Sequence, residues 1–327
     1  MVSLFSIFIL TLLLITALAI VQSRNLFVAV MLSGIFSLLI AAIFFLLDAA
    51  DVALTEAAVG AGISTVLFLG ALALTAEREQ EPPTNRPVAL VVVVMTALVL
   101  IYGTLGTPRL GDPNAPVQTH VSPWYLEQTP HYIDIPNVVT AVLGSYRGYD
   151  TLGEVFVVLT AGIGVLFLLG KPSPRGSRGP ESSAEDAGLR HYLIPRLVGR
   201  LLIPFILLFG LYVQFHGEYS PGGGFQAGAI IAAAIILYAL LEGEARALLV
   251  LPRWLLTGMI AGGALLYGGV GVVCLLLGGN FLDYSVLMSD PVAGQQIGLL
   301  LIEAGVGITV TGVLLSVFHA FAARGEY

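Results

Sequence analysis

Nine apolar stretches run along the chain with short polar connections between them: 2–21, 26–47, 52–74, 88–106, 152–170, 193–215, 225–241, 254–277 and 294–318. Each is long enough to cross about 30 Å of hydrocarbon as a helix. The alternation expected of strands is missing, and a chain in lipid must satisfy its backbone internally, so these stretches predict helices. The expected fold is all-α, a polytopic membrane protein of about nine transmembrane helices. The first stretch, Met1 to Val21, has no Lys or Arg at its start and no small-x-small site at its end. It therefore reads as a retained span and not as a signal peptide.

The polar connections set orientation and organisation. With the N-terminus outside and the C-terminus inside, all but Arg109 and Arg147 of the 14 Lys and Arg fall on the cytoplasmic side. The stretch 107–136 is rich in Pro and aromatics and predicts a packed extracellular cap or interfacial belt. Residues 171–190, KPSPRGSRGPESSAEDAGLR, have the composition of a disordered linker, and 75–87 makes a weaker break. The expected units are 1–80 with three spans, 81–172 with two spans and the external loop, a cytoplasmic linker 173–192, and 193–327 with four spans. No internal repeat is evident, so a transporter built of inverted repeats within this chain is not supported.

Composition narrows the chemistry. A hydrophobic fraction of 57%, a charged fraction of 11% and a mean hydropathy of +0.93 exclude a soluble domain. Cys274 is the single cysteine, and none of the five histidines pairs with another at helical spacing. Zinc, iron-sulfur and haem sites are therefore not indicated, no resident cofactor is expected, and no nucleotide or nucleic-acid motif is present. Lys171 is the single lysine and lies in the linker. The chain therefore cannot build the buried lysine–glutamate pairs on which proton-pumping subunits of the complex I type rely, and a partial ion path is expected.

Against that background a few acids stand out. Glu303 sits roughly 13 Å below the start of the last stretch, near mid-membrane, where a carboxylate marks an ion pathway or a neutral hydrogen-bonded strut. Glu56 lies near the outer end of the third stretch, ahead of Gly60, Gly62, Ser64 and Thr65, small residues that suit packing inside protein. Its plainer reading is a helix-start carboxylate with Asp51 as N-cap. Glu154 completes a T-x-x-E capping box with Thr151, or passes cations at the mouth of a span. In FHGEYSPGGGFQ, Ser220 and Pro221 predict an N-cap and first helical residue, and Gly222–Gly224 a tight re-entrant turn. His216 and Glu218 flank that turn as accessory titratable groups. Asp290 and Pro291 repeat the cap-then-proline pattern.

Three segments carry a family resemblance. Residues 51–72, DVALTEAAVGAGISTVLFLGAL, resemble the MbhD-type module. Residues 137–165, NVVTAVLGSYRGYDTLGEVFVVLTAGIGV, resemble the MbhE-type module, and 209–230, FGLYVQFHGEYSPGGGFQAGAI, the signature of MnhB/MrpB subunits. The resemblance implies a subunit of an Mrp-type multisubunit Na⁺/H⁺ antiporter in a prokaryotic cell membrane, partnered by A-, C-, D-, E-, F- and G-type subunits. It also implies that Glu56 and Glu154 lie on the cation or proton path; for Glu303 the argument is its depth. In that family the first two modules usually end the large A-type subunit, whereas here they are fused to a B-type module. A scaffold subunit, or the membrane arm of a hydrogenase or complex I-like redox complex, would use the same modules.

Overall fold

The computed structural model describes residues 2–79, 86–109, 111–169 and 192–324. Most of the linker expected at 173–192, Lys171, and residues 80–85 of the weaker break lie outside the described residues. Among the described residues, nine helices are long and apolar enough to cross a membrane, as the hydrophobic pattern predicts. They are α1 (Val2–Gln22), α2 (Leu26–Leu46), α3 (Ala50–Leu72), α4 (Arg86–Leu105), then, after the short α5 (Ser122–Tyr132), α6 (Gly148–Leu169), α7 (Leu193–His216) and α8 (Gly224–Glu242). After the short α9 (Glu244–Val250) come α10 (Arg253–Leu276) and α11 (Pro291–Ala322).

The core sits on α8 and α11, with α10 beside them. More than half of the apolar windows of α8 and α11 is buried, whereas α1 and α4 bury none of theirs within this chain. The sequence explains the contrast. Lipid tails are as apolar as leucine, so helices in a bilayer associate where small residues let backbones approach, and α11 carries glycines on the faces it turns to α8 and α10. A Cβ on Gly228 would stand 2.7 Å from the Gly307 carbonyl, and one on Gly263 would stand 2.6 Å from the Gly305 carbonyl. The backbones touch at these crossings.

The proline- and aromatic-rich stretch packs on the bundle only in its later part; most of the described residues of 107–121 are exposed. Trp124, Tyr125 and Tyr146 meet with ring centroids 5.0–5.3 Å apart. Ile133 and Ile135 enter the main core, and Gln296 on α11 donates to the carbonyls of Ile133 and Asp134. Two buried phenols pin the turn before α6: Tyr267 donates to the Gly148 carbonyl at 2.8 Å and Tyr284 to the Gly144 carbonyl at 3.0 Å. Burial raises the Tyr284 phenol above its ordinary pKa, so it serves as a neutral donor.

Three local expectations change. The helix after the glycine run starts at Gly224, so Ser220 and Pro221 are neither its cap nor its first residue. Gly223, with φ +131°, takes the cap position, a conformation that a side chain would strain. Ala49 precedes α3, and Asp51 points elsewhere instead of capping it. The capping box at Thr151 does not form, because α6 already begins at Gly148 and the Thr151 hydroxyl donates to the Leu143 carbonyl at 2.8 Å. By contrast Asp290 does cap α11, accepting from the Val292 amide at 3.1 Å, with Pro291 at the helix start.

Candidate functional site

The triple-glycine turn between α7 and α8 organises the site. With no side chains in the way, its amides point at two carboxylates from distant helices. The Gly222 amide donates to Asp51 Oδ1 at 3.2 Å, and the Gly224 amide donates to Glu303 Oε2. The N-terminus of α8 thus lacks a cap of its own and is capped across the interface by an acid from α11.

Neighbouring side chains fix the turn. Asn137 Nδ2 lies within hydrogen-bond distance of Asp51 Oδ1, the Gly217 carbonyl and the Ser220 carbonyl, at 3.1–3.3 Å. The Thr140 hydroxyl donates to the Gly217 carbonyl at 2.8 Å. Gln226 on α8 donates to the Thr55 hydroxyl at 2.8 Å, which ties α8 to α3. Helices α3, α8 and α11 and the 137–140 turn are therefore joined through polar contacts at one level.

Beside the turn opens a cavity of about 730 Å³, where Asp51 from α3, Glu154 from α6 and Glu303 from α11 come together with Thr55, Thr151 and Gln226. A second pocket, of about 10 Å³, the room one water needs, shares Gly223 and Glu303 with it and is lined also by Gln214 and Glu218. Glu303 borders both spaces, and Asp51 and Glu218 lie within its electrostatic reach. Burial raises the Glu218 carboxyl above its ordinary range. Carboxylate, hydroxyl and amide oxygens of this kind suit protons and hard cations. Among the described residues no three His, Cys, Asp or Glu side chains close into a metal-binding cluster.

The expected residues divide. Asp51, Glu154 and Glu303 share the large cavity, and Glu218 lines the small one. Glu56 does not line either. It opens a π-helical stretch of α3, Glu56–Ile63, and its carboxylate lies against Gly60 on the side of α3 that carries Ser37 of α2. His216 stacks between Tyr212 and Tyr219, with centroids 4.7 and 5.7 Å away, and lines neither cavity. Asn137, Thr140 and Gln226 were missed by the sequence reading. Asn137 had a local signal, an N-cap just ahead of Val138 whose side chain accepts from two amides, but its long-range partners had none.

These features define a class: a multi-pass helical membrane protein in which acids from three helices line one cavity and two of them accept from amides of one glycine turn. Residues 194–316 match a domain described as related to the MnhB subunit of Na⁺/H⁺ antiporter, 11–77 match MbhD, the D-type subunit of MBH, and 110–182 match MbhE, the E-type subunit of MBH. The "Putative antiporter subunit mnhB2" of Staphylococcus aureus (strain Newman) is 34% identical over 128 residues, which cover 38% of this chain and 90% of that protein. The chain belongs to the Mrp/Mnh family of antiporter subunits.

A probable K(+)/H(+) antiporter A/B subunit of Rhizobium meliloti (strain 1021) is 26% identical over 304 residues, 84% of this chain and 30% of that protein. A chain of the Mrp complex from Dietzia sp. DQ12-45-1b superposes with a TM-score of 0.74 at 26% identity, over 96% of this chain and 34% of that one. The chain therefore spans about a third of the length of these two. A chain of the membrane-bound sulfane sulfur reductase, an archaeal respiratory membrane complex, matches with a TM-score of 0.53 at 29% identity, over 71% of this chain and 97% of that one.

Proposed function

We propose that the chain is a membrane component of an Mrp-type cation/proton antiporter, without enzymatic activity of its own, and that the cavity shared by Asp51, Glu154 and Glu303 is a station on its ion path. The observation that carries this reading is that three acids from three helices line one cavity, two of them held by amides of the same glycine turn. In such a place a carboxylate can release a proton as a cation arrives, because the amides hold the oxygens of Asp51 and Glu303 in position. Na⁺ and K⁺ are both candidate cations. Glu56, on the π-helical stretch, serves as a separate station facing α2. The A-, C-, D-, E-, F- and G-type subunits are its partners in the membrane of a prokaryotic cell, and they supply the lysines this chain lacks.

The test is Glu303→Gln beside Glu303→Ala in the whole complex. Glutamine keeps an oxygen for the Gly224 amide but cannot trade a proton, so the complex assembles and cation-dependent proton exchange falls by at least about tenfold, as for loss of a proton-transfer group. Alanine leaves that amide unpaired, at a cost of about 1–3 kcal/mol, and lowers stability as well. Normal exchange in an assembled Glu303→Gln complex removes Glu303 from the path. A scaffold role predicts the opposite pattern, in which assembly fails and transport per assembled complex is unchanged.

The likeness to a respiratory complex supports a second reading, the membrane arm of a redox-driven assembly. Purification of the native complex with iron-sulfur subunits selects it.

A further inference from the structure

A second cavity lies at the opposite end of α11 from its Asp290 cap, and the ion path described above does not use it. It measures about 150 Å³ and is lined by Arg253 and Thr257 of α10, Ser316 and His319 of α11, Arg324 just beyond it, and Leu166 of α6. The expected last span, 294–318, stops short of it; α11 continues to Ala322, and His319 is 3% exposed.

The imidazole is short of partners. Its Nδ1 lies 3.5 Å from Glu244 Oε1, and neither ring nitrogen makes a hydrogen bond. A buried polar group without a partner is costly, so such a nitrogen in a cavity wall marks a place for a polar guest. The guest's charge follows from the walls. Among the described residues Glu244 is the one acid that pairs here, with Arg253 Nη2 at 3.8 Å and with His319 Nδ1 at 3.5 Å, and Arg324 has no ion-pair partner. Among the described residues, two guanidiniums, an imidazole and two hydroxyls stand against one carboxylate, a balance that favours an anion with several acceptor oxygens.

The depth of the cavity points to lipid. Trp254, next to Arg253, is 74% exposed, as expected of an aromatic anchor at the membrane–water boundary, and Leu166 on the rim presents an apolar side to an acyl chain. The same end of the bundle carries Arg196, Arg200 and Arg246 around Glu242. We infer that this cavity binds the phosphate of an anionic phospholipid, with His319, Ser316 and Arg324 as its contacts.

Native mass spectrometry of the delipidated complex, titrated with phosphatidylglycerol, phosphatidylcholine or inorganic phosphate, tests this. Wild type retains one phosphatidylglycerol more than the Arg324→Gln variant, whose affinity for that lipid falls about fivefold, the share of one interfacial arginine. Ser316→Ala weakens retention in the same direction without removing a charge, and Arg147→Gln, at the other end of the bundle, changes nothing. Equal retention of phosphatidylcholine, or unchanged retention in Arg324→Gln, overturns the site. Displacement of the retained lipid by millimolar inorganic phosphate assigns the cavity to a soluble anion and overturns the lipid.

Discussion

The crossing of α8 and α11 should be intolerant of a single methyl group at Gly224. A Cβ there would overlap the Glu303 carbonyl and stand 2.9 Å from the Gly307 amide nitrogen and 2.9 Å from Val306 Cβ. Two of these three neighbours are backbone, so a rotamer change cannot relieve the clash and the helices must separate. Overpacking of this kind costs about 1–3 kcal/mol, and the helical preference of alanine over glycine returns about 1 kcal/mol at most. The net loss lies between about 0 and 2 kcal/mol, toward the upper end because two of the three clashing neighbours are backbone, with a further loss of transport because the Gly224 amide no longer reaches Glu303. Gly262→Ala is the internal control: its Cβ meets nothing within 4 Å, so the same substitution should be neutral or slightly stabilising. Thermal unfolding of the purified full chain in detergent, read for both variants under one condition, compares them. If Gly224→Ala melts with wild type or above it, the contact between these backbones is wrong.

Two further outcomes follow. Glu242, 1% exposed, accepts from Arg196 at 3.0 Å, Arg200 at 2.6 Å and Arg246 at 2.8 Å, so Glu242→Gln should destabilise by about 1–3 kcal/mol. That figure lies below the range for a fully buried pair because the arginines remain a third to a half exposed, and chemical denaturation of the full chain reads it. For Glu218, burial raises the folded-state pKa, so the folded chain holds its proton more tightly than the unfolded chain. Its stabilising contribution is complete below the ordinary carboxylate range and is lost as pH rises through the raised value; Glu218→Gln should flatten that part of the stability–pH curve.

Much of the architecture was legible because bilayer thickness leaves few choices: an apolar run of about 20 residues must be a helix, and all nine appear. Asp290–Pro291 was legible because that cap is local, complete within three residues. The caps that failed were those settled by tertiary contacts. Ser220–Pro221 lost the start of α8 because the Gly224 amide finds its acceptor on α11, 79 positions along the chain. Thr151 lost its capping role because Tyr267 and Tyr284 draw the preceding turn into the core and start α6 earlier. The π-helical stretch at Glu56 leaves no period in EAAVGAGI, whose small residues fit either hydrogen-bond spacing. Glu303 was found by depth alone, but its companions Asn137 and Gln226 are ordinary polar residues until the fold brings them to the turn.

The central claim is that Glu303 gives up a proton when a cation enters the cavity it shares with Asp51 and Glu154. Infrared difference spectroscopy of the assembled complex, perfused alternately with Na⁺ or K⁺ and with a large impermeant cation, reads that exchange at the carboxyl group itself. The account predicts a protonated-carboxyl band that is lost on adding the transported cation and is missing from Glu303→Gln. A cation-dependent band that persists unchanged in Glu303→Gln, or no carboxyl band at all while exchange is active, contradicts it.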